Sequence, residues 1–232
     1  MRIFSERTAD GARRFGVEFG RARPAPAGPS AGPPGGAAAG PSAGAARRTL
    51  VLGGARSGKS VTAERLLSGR QDVLYVATGG TREGDPDWAR RVALHRERRP
   101  AGWRTAETCD LVPLLADRTD GAPLLVDCLA LWLTDALDAC GAWEDATWHE
   151  GGGRERLRAR TVELVEAWRS SPRTVVAVSN EVGSGVVPAT PSGRRFRDEL
   201  GRLNAAVADA SEQVLLVVAG QVLPLRRPEA AR

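Results

Sequence analysis

Eight consecutive residues, Gly53-Gly54-Ala55-Arg56-Ser57-Gly58-Lys59-Ser60, have the types and spacing of a phosphate cradle. Gly53, Gly54 and Gly58 let the backbone curl, so that successive N–H groups through Ala55, Arg56 and Ser57 turn inward onto phosphate oxygens. A helix opening at Lys59 adds the partial positive charge of its N-terminus. Lys59 is then placed to reach the β- and γ-phosphates, and the Ser60 hydroxyl to ligate Mg²⁺. Of the 33 basic residues in the chain, Lys59 is the only lysine. Guanidinium and ammonium are not interchangeable where a compact point charge must sit between phosphates, so the exception marks the position.

A phosphate-bound Mg²⁺ takes an acidic partner from the end of a neighbouring strand. Asp127, which closes the apolar run Leu124-Leu125-Val126, is the candidate; its alternative is to cap a helix starting at Leu129. His95 is followed by Arg96, Glu97, Arg98, Arg99 and Pro100. An imidazole is a competent nucleophile toward phosphorus, and clustered guanidinium groups suit a triphosphate. Spacing alone leaves His95 open between a structural and a catalytic role, and the arginines open between a site and a solvated face. The other histidine, His149, precedes Glu150 and three glycines and reads as a loop residue.

These residues need a frame that brings them together. Short, continuously apolar runs at 49–53, 73–77, 123–127, 174–179 and 213–219 read as buried parallel strands. Helical spacing occupies 59–67, 86–98, 129–139, 154–168 and 194–210 between them. Strand alternating with helix predicts an α/β fold of the P-loop NTPase type, RecA-like, with a mainly parallel sheet covered by helices on both faces. The run 222–225 reads as a short edge strand, where Pro224 is tolerated. In such sheets ligands bind beyond the carboxyl ends of the strands, which is where Gly53, Ala77 and Asp127 fall.

Composition bounds the rest. Residues 1–48 carry eight arginines against Glu6, Asp10 and Glu18, which accounts for the whole net charge of +5. From 23 to 46 the chain is nearly all Ala, Gly, Pro and Ser, too poor in apolar surface to offset the entropy of ordering. The expected organisation is therefore a disordered basic leader over 1–48 and one catalytic domain over 49–232. The domain itself is electrically balanced, which argues against nucleic acid as its partner. Cys109, Cys128 and Cys140 are odd in number and lack metal-ligand spacing, as expected of reduced thiols in a cytoplasmic protein. No apolar segment reaches the length of a membrane span, and the N-terminus lacks the apolar region of a secretory signal.

Several blocks together resemble the bifunctional adenosylcobinamide kinase / adenosylcobinamide-phosphate guanylyltransferase family of cobalamin biosynthesis. They are the cradle itself, Val76-Ala77-Thr78, the histidine five residues ahead of Pro100 with Trp103-Arg104-Thr105-Ala106-Glu107, and the segments 179–188 and 196–204. The resemblance spans about residues 49–225. It implies two reactions. A nucleoside triphosphate, ATP or GTP, phosphorylates the aminopropanol hydroxyl of adenosylcobinamide; GTP then guanylylates a histidine, and the GMP passes to adenosylcobinamide phosphate to give adenosylcobinamide-GDP. By position His95 matches the GMP-carrying histidine. Ala77, Thr78, Gly79, the cluster Arg96, Glu97, Arg98 and Arg99, and Glu107 fall where the family contacts the guanine nucleotide. Asp127 stands where some relatives have Glu, and Leu94 stands where relatives often place a second histidine. The resemblance also implies a homotrimer, and nothing in it extends to the leader.

Three other readings compete, one of them nucleic-acid binding through the basic leader, which the balanced domain weakens. A single-step P-loop small-molecule kinase accounts for the cradle and Asp127 but gives His95 no task. A nucleotide-dependent switch would need the guanine-reading Asn-Lys-x-Asp, which cannot occur because Lys59 is the only lysine.

Overall fold

The computed structural model describes residues 2–7, 13–18, 47–80 and 86–227. Its centre is β3 (Arg48–Gly53), a strand buried from Thr49 onward. Burial of every consecutive residue means both faces are covered, as the continuous apolar run requires. β3 lies between β7 (Val175–Asn180) and β8 (Gln213–Val218), parallel to both. β6 (Leu124–Asp127), β4 (Leu74–Ala77) and β5 (Arg104–Glu107) extend the sheet beyond β7, all parallel. β9 (Gln221–Arg226) closes the opposite edge antiparallel to β8, so the order is β5-β4-β6-β7-β3-β8-β9. A two-residue turn at Ala219-Gly220, both at positive φ, makes that reversal.

α1 (Lys59–Leu66) packs on β3, β6, β7 and β8. α4 (Leu129–Ala139) packs on β7 and meets α6 (Gly153–Ser170) and α7 (Pro191–Asp209). Leu133 and Leu137 of α4, Leu164 and Trp168 of α6, and Leu203 and Val207 of α7 are buried in one core with Leu125, Val176 and Ala177 of the sheet. Trp103, Trp132 and Trp148 are buried as well, so most of the indoles serve packing. α2 (Pro86–Glu97) stands between β4 and β5 in the chain.

Within residues 49–232 the sequence reading anticipates five of the parallel strands and the edge strand, and misses three short elements. β5 is an exposed edge strand with no apolar run to announce it. α3 (Leu111–Ala116) and α5 (Asp145–His149) are too short for periodicity to register; His149 ends α5 rather than lying in a loop. The leader, read above as disordered over 1–48, contains an antiparallel hairpin of β1 (Arg2–Arg7) and β2 (Arg13–Glu18), with Ile3 opposite Val17. Its short runs include β-branched and aromatic residues, which favour strands. Arg48 belongs to β3. The Ala/Gly/Pro/Ser stretch lies outside the described residues. The chain forms two compact units, 1–39 and 40–232. Among the described residues no helix is long and apolar enough to cross a membrane, and the three cysteines are free thiols.

Candidate nucleotide-binding site

The cradle sits where β3 hands over to α1. Gly58 is the helix N-cap at φ +97°, and Arg56 also takes positive φ, so the loop turns sharply enough to gather its N–H groups. Gly53 has no room for a side chain: a Cβ there would lie 2.4 Å from Ser57 Oγ and 2.7 Å from the Val217 carbonyl oxygen. Neighbouring strands brace the loop, with the Glu181 N–H donating to the Gly53 carbonyl and the Gly220 N–H to that of Ser57. Lys59 is folded back, its Nζ donating to the Gly54 carbonyl at 3.1 Å. Ala55, Arg56, Ser57, Gly58, Lys59 and Ser60 line an open cavity of about 780 Å³ together with His95, Arg98 and Asn180. Gly53 and Gly54 shape the loop from behind.

Asp127 ends β6 two strands from the cradle. It does not cap α4, whose N-cap is Cys128 without a side-chain bond. The Tyr75 hydroxyl instead donates to Asp127 Oδ2 at 2.8 Å, and His95 Nδ1 lies 3.6 Å from the same oxygen. Burial opposes ionisation of this carboxyl, but the His95 imidazole, the Tyr75 hydroxyl and the Ser60 side chain outweigh it and hold the group below the ordinary carboxylate range. Tyr75 is driven the other way, well above the ordinary phenol range, by burial and by the Asp127 carboxylate. Among the described residues there is no group of three or more His, Cys, Asp and Glu to cage a metal. Ser60 and Asp127 form a hard-oxygen pair, the donor set that suits a Mg²⁺ completing its shell with phosphate and water.

His95 lies in the last turn of α2 and lines both the cradle cavity and a second cavity of about 360 Å³. Lys59, Ser60 and Asn180 are also shared, so the two spaces meet at the imidazole. The arginines that follow are engaged by three separate elements. Arg98 forks onto Glu64 of α1, Arg96 pairs with Glu107 of β5 at 2.6 Å, and Arg99 lies 3.3 Å from the ring centroid of Tyr75 while donating to Thr105 at 3.2 Å. Their protein partners make them anchors for the end of α2. Arg96 and Arg99 still line the second cavity, whereas Glu97 is exposed and lines neither.

Ala77, Gly79 and Glu107 line the second cavity as well. Thr78 does different work: its hydroxyl donates to the Cys128 carbonyl and accepts from the Cys128 N–H, both at 2.8 Å, tying the ends of β4 and β6 together. That hydroxyl is spent on the backbone. Two residues of the site escape the sequence reading. Tyr75 passes for one more apolar strand residue, and Asn180 falls within the family-like block 179–188 without a role of its own. Asn180 nevertheless ends its strand as Asp127 does, level with Gly53 in register, and Asn204 of α7 donates to its carbonyl at 3.0 Å.

A parallel sheet with the P-loop on a central strand, an acidic residue two strands away and a cavity over their carboxyl ends defines a P-loop nucleotide-binding enzyme. The model of the family described as cobinamide kinase / cobinamide phosphate guanyltransferase matches residues 49–225, and the chain belongs to that family. It is similar to the bifunctional adenosylcobalamin biosynthesis protein CobP of Pseudomonas aeruginosa, 43% identical over 77% of this chain and 97% of that protein. The bifunctional adenosylcobalamin biosynthesis proteins CobU of Salmonella typhimurium and Escherichia coli are 40% and 38% identical, each over 74% of this chain and 95% of theirs. Among solved structures, a type III secretion system ATPase aligns at TM-score 0.45 with 13% identity, covering 73% of this chain and 50% of that one.

Proposed function

We propose that the chain phosphorylates adenosylcobinamide and then converts the phosphate to adenosylcobinamide-GDP through a guanylyl group carried on His95. The observation that carries this reading is the place of His95 at the junction of the phosphate cradle and the second cavity. In the kinase step the aminopropanol hydroxyl attacks the γ-phosphorus, loses its proton, and releases the nucleoside diphosphate; ATP and GTP both fit a cradle that reads only phosphates. In the guanylyl step a ring nitrogen of His95 bonds to the α-phosphorus of GTP, and the bond to the bridging oxygen breaks, releasing pyrophosphate. An oxygen of adenosylcobinamide phosphate then attacks the same phosphorus and returns the electron pair to the imidazole.

Lys59 and the loop N–H groups neutralise the β- and γ-phosphates, which makes diphosphate or pyrophosphate a better leaving group. Ser60 and Asp127 would hold Mg²⁺, which supplies further charge neutralisation there. Ala77, Gly79 and Glu107 face the nucleoside. Arg96 and Arg99 reach the phosphates only by exchanging their present partners, and Glu97 is left without a role. The single-step kinase reading gives no task to a histidine shared by both cavities. A cytoplasmic homotrimer with no nucleic-acid partner completes the proposal, and sedimentation of the purified protein tests the trimer.

The deciding experiment is incubation with GTP labelled at the α-phosphate, with Mg²⁺, followed by denaturation. Label retained on the protein, lost in acid, stable in alkali and absent from His95→Asn is the expected result. A wild-type protein that never acquires the mass of one GMP overturns the guanylyl-histidine step and leaves the single-step kinase.

A further inference from the structure

Tyr75 belongs to no phosphate-binding motif, yet its hydroxyl makes a short, well-formed hydrogen bond at the centre of the site. The residue is buried on β4 and donates to Asp127 Oδ2, on the neighbouring strand β6, at 2.8 Å. Arg99 covers the face of its ring, so the phenol is clamped between a guanidinium and a carboxylate. A strand-end Asp has two side-chain torsions and several oxygen orientations open to it. A fixed O–H donor on the adjacent strand selects one, and the oxygen it selects is the one facing His95 Nδ1 at 3.6 Å. That separation is about 0.7 Å longer than a good N–H···O bond. Such contacts commonly tighten only when substrate closes the site.

A histidine's tautomer is set by the bond its other ring nitrogen makes. We propose that Tyr75 is a positioning residue for guanylyl transfer, holding Asp127 so that Oδ2 takes the Nδ1–H of His95 and the lone pair is kept on Nε2. This rests on His95 being the GMP carrier. Nε2 then forms the bond to the α-phosphorus as the pyrophosphate oxygen leaves with its electron pair. Nδ1 keeps its proton throughout, and the positive charge the ring acquires lies against the Asp127 carboxylate. When the cobinamide phosphate oxygen takes the GMP, the pair returns to Nε2 and the ring is restored.

Tyr75→Phe tests this, since it keeps the ring under Arg99 and deletes only the hydroxyl. The single-turnover rate of GMP transfer from GTP to the variant falls ~10–100-fold, the range typical when a partner supporting a reactive group is removed, while the Kd for GTP stays within about twofold. The chain has two histidines, so ¹⁵N-histidine NMR resolves His95, with His149→Gln fixing the assignment. Wild-type His95 is the Nδ1–H tautomer, and Tyr75→Phe gains the Nε2–H form. Wild-type His95 protonated on Nε2 overturns the proposal. So does a variant labelled at the wild-type rate, and so does a slower variant whose tautomer has not moved, which is the signature of a merely structural hydroxyl. GMP found on Nδ1 removes this proposal while leaving the guanylyl-histidine standing; no GMP on the wild-type protein removes the reading beneath it instead, and the NMR result still decides the tautomer.

Discussion

Arg98 donates from Nε and Nη2 to the two carboxylate oxygens of Glu64, at 3.3 and 3.1 Å, and so fastens the chain just after α2 to the helix that begins at Lys59. The link runs between the element carrying the candidate nucleophile and the element carrying the candidate phosphate-binding lysine. A forked guanidinium–carboxylate pair fixes orientation as well as distance. Its Glu64 side chain is mostly covered and the Arg98 side chain half-exposed, so its effect on overall stability is small after screening.

Arg98→Ala is therefore expected to lower Tm by no more than about 3 °C, roughly 1 kcal/mol in a domain of this size. GMP transfer to His95 falls at least ~10-fold, because misplacing a reacting group by a fraction of an ångström is costly. Glu64→Gln gives the same pattern more weakly, since one oxygen acceptor survives. Thermal melts beside single-turnover labelling read both effects; labelling at the wild-type rate in both variants would show that the fork does not position His95.

Gly53 gives a steric prediction with its own control. Gly53→Ala places a methyl 2.7 Å from the Val217 carbonyl oxygen, a backbone atom of β8 that cannot give way cheaply, and 2.4 Å from the Oγ of buried Ser57. Overpacking of this kind costs about 1–3 kcal/mol, or a Tm lower by about 2–12 °C. Gly54→Ala meets no atom within 4 Å and is expected to melt with the wild type. Equal melting temperatures for the two variants would mean that the loop is not packed against β8 as described.

How far these relationships were legible beforehand depends on what kind of signal each leaves in a sequence. The cradle leaves a local pattern, and Asp127 and the buried strands leave apolar runs that end in a polar residue. The parallel sheet follows from those runs and the helices between them. β5 leaves almost nothing, because an exposed edge strand reading Arg104-Thr105-Ala106-Glu107 has neither an apolar run nor a hydrophobic alternation. The partners of Arg96, Arg98 and Arg99 lie on β5, α1 and β4, and pairing across the fold has no local signature. The same is true of Thr78, which the family resemblance places near the guanine nucleotide and whose hydroxyl in the structure bridges the backbone of Cys128. Tyr75 was hidden by its own ring, which fits an apolar strand as well as Val or Leu does.

Burial pushes the thiols of Cys109 and Cys128 up to about 11, with Asp135 adding to the shift at Cys109 and Asp127 at Cys128. A raised thiol pKa favours the protonated form in the native state. The thiolate fraction near pH 8 is then about a hundredfold below that of a thiol at 9.0, and alkylation slows in proportion. Iodoacetamide labelling of Cys109, read by peptide mapping, should climb about tenfold per pH unit from 8 to 10 without levelling off. The linked stability has the matching sign: the unfolded chain gives up these protons near pH 9 and the native chain holds them to about 11, so Tm is steady below pH 8.5 and declines as pH rises through that window. A labelling plateau near pH 9 would contradict the half-buried placement of Cys109, whose thiol donates to the Thr78 carbonyl at 3.2 Å.

In the proposed scheme Lys59 is the residue on which both reactions turn. Among the described residues its side chain makes one hydrogen bond, to the Gly54 carbonyl of its own loop. Lys59→Ala is accordingly expected to leave the fold intact, with Tm within about 2 °C, a difference of no more than about 1 kcal/mol. Removing the ammonium takes away a charge that acts on the β- and γ-phosphates as negative charge builds on the departing oxygen. Loss of one preorganised donor of that kind costs ~10²–10³ in rate, and here the cost falls on phosphoryl transfer to cobinamide and on GMP transfer to His95 alike. Lys59→Arg is a sharper test. Every other basic residue is already arginine, so tolerance of arginine is the rule in this chain, yet a planar guanidinium cannot take the place of a compact ammonium among phosphate oxygens. Both variants should bind GTP more weakly by calorimetry and fail in single-turnover assays of each step. Normal turnover of one reaction in Lys59→Ala would detach that reaction from the cradle and require a second nucleotide site.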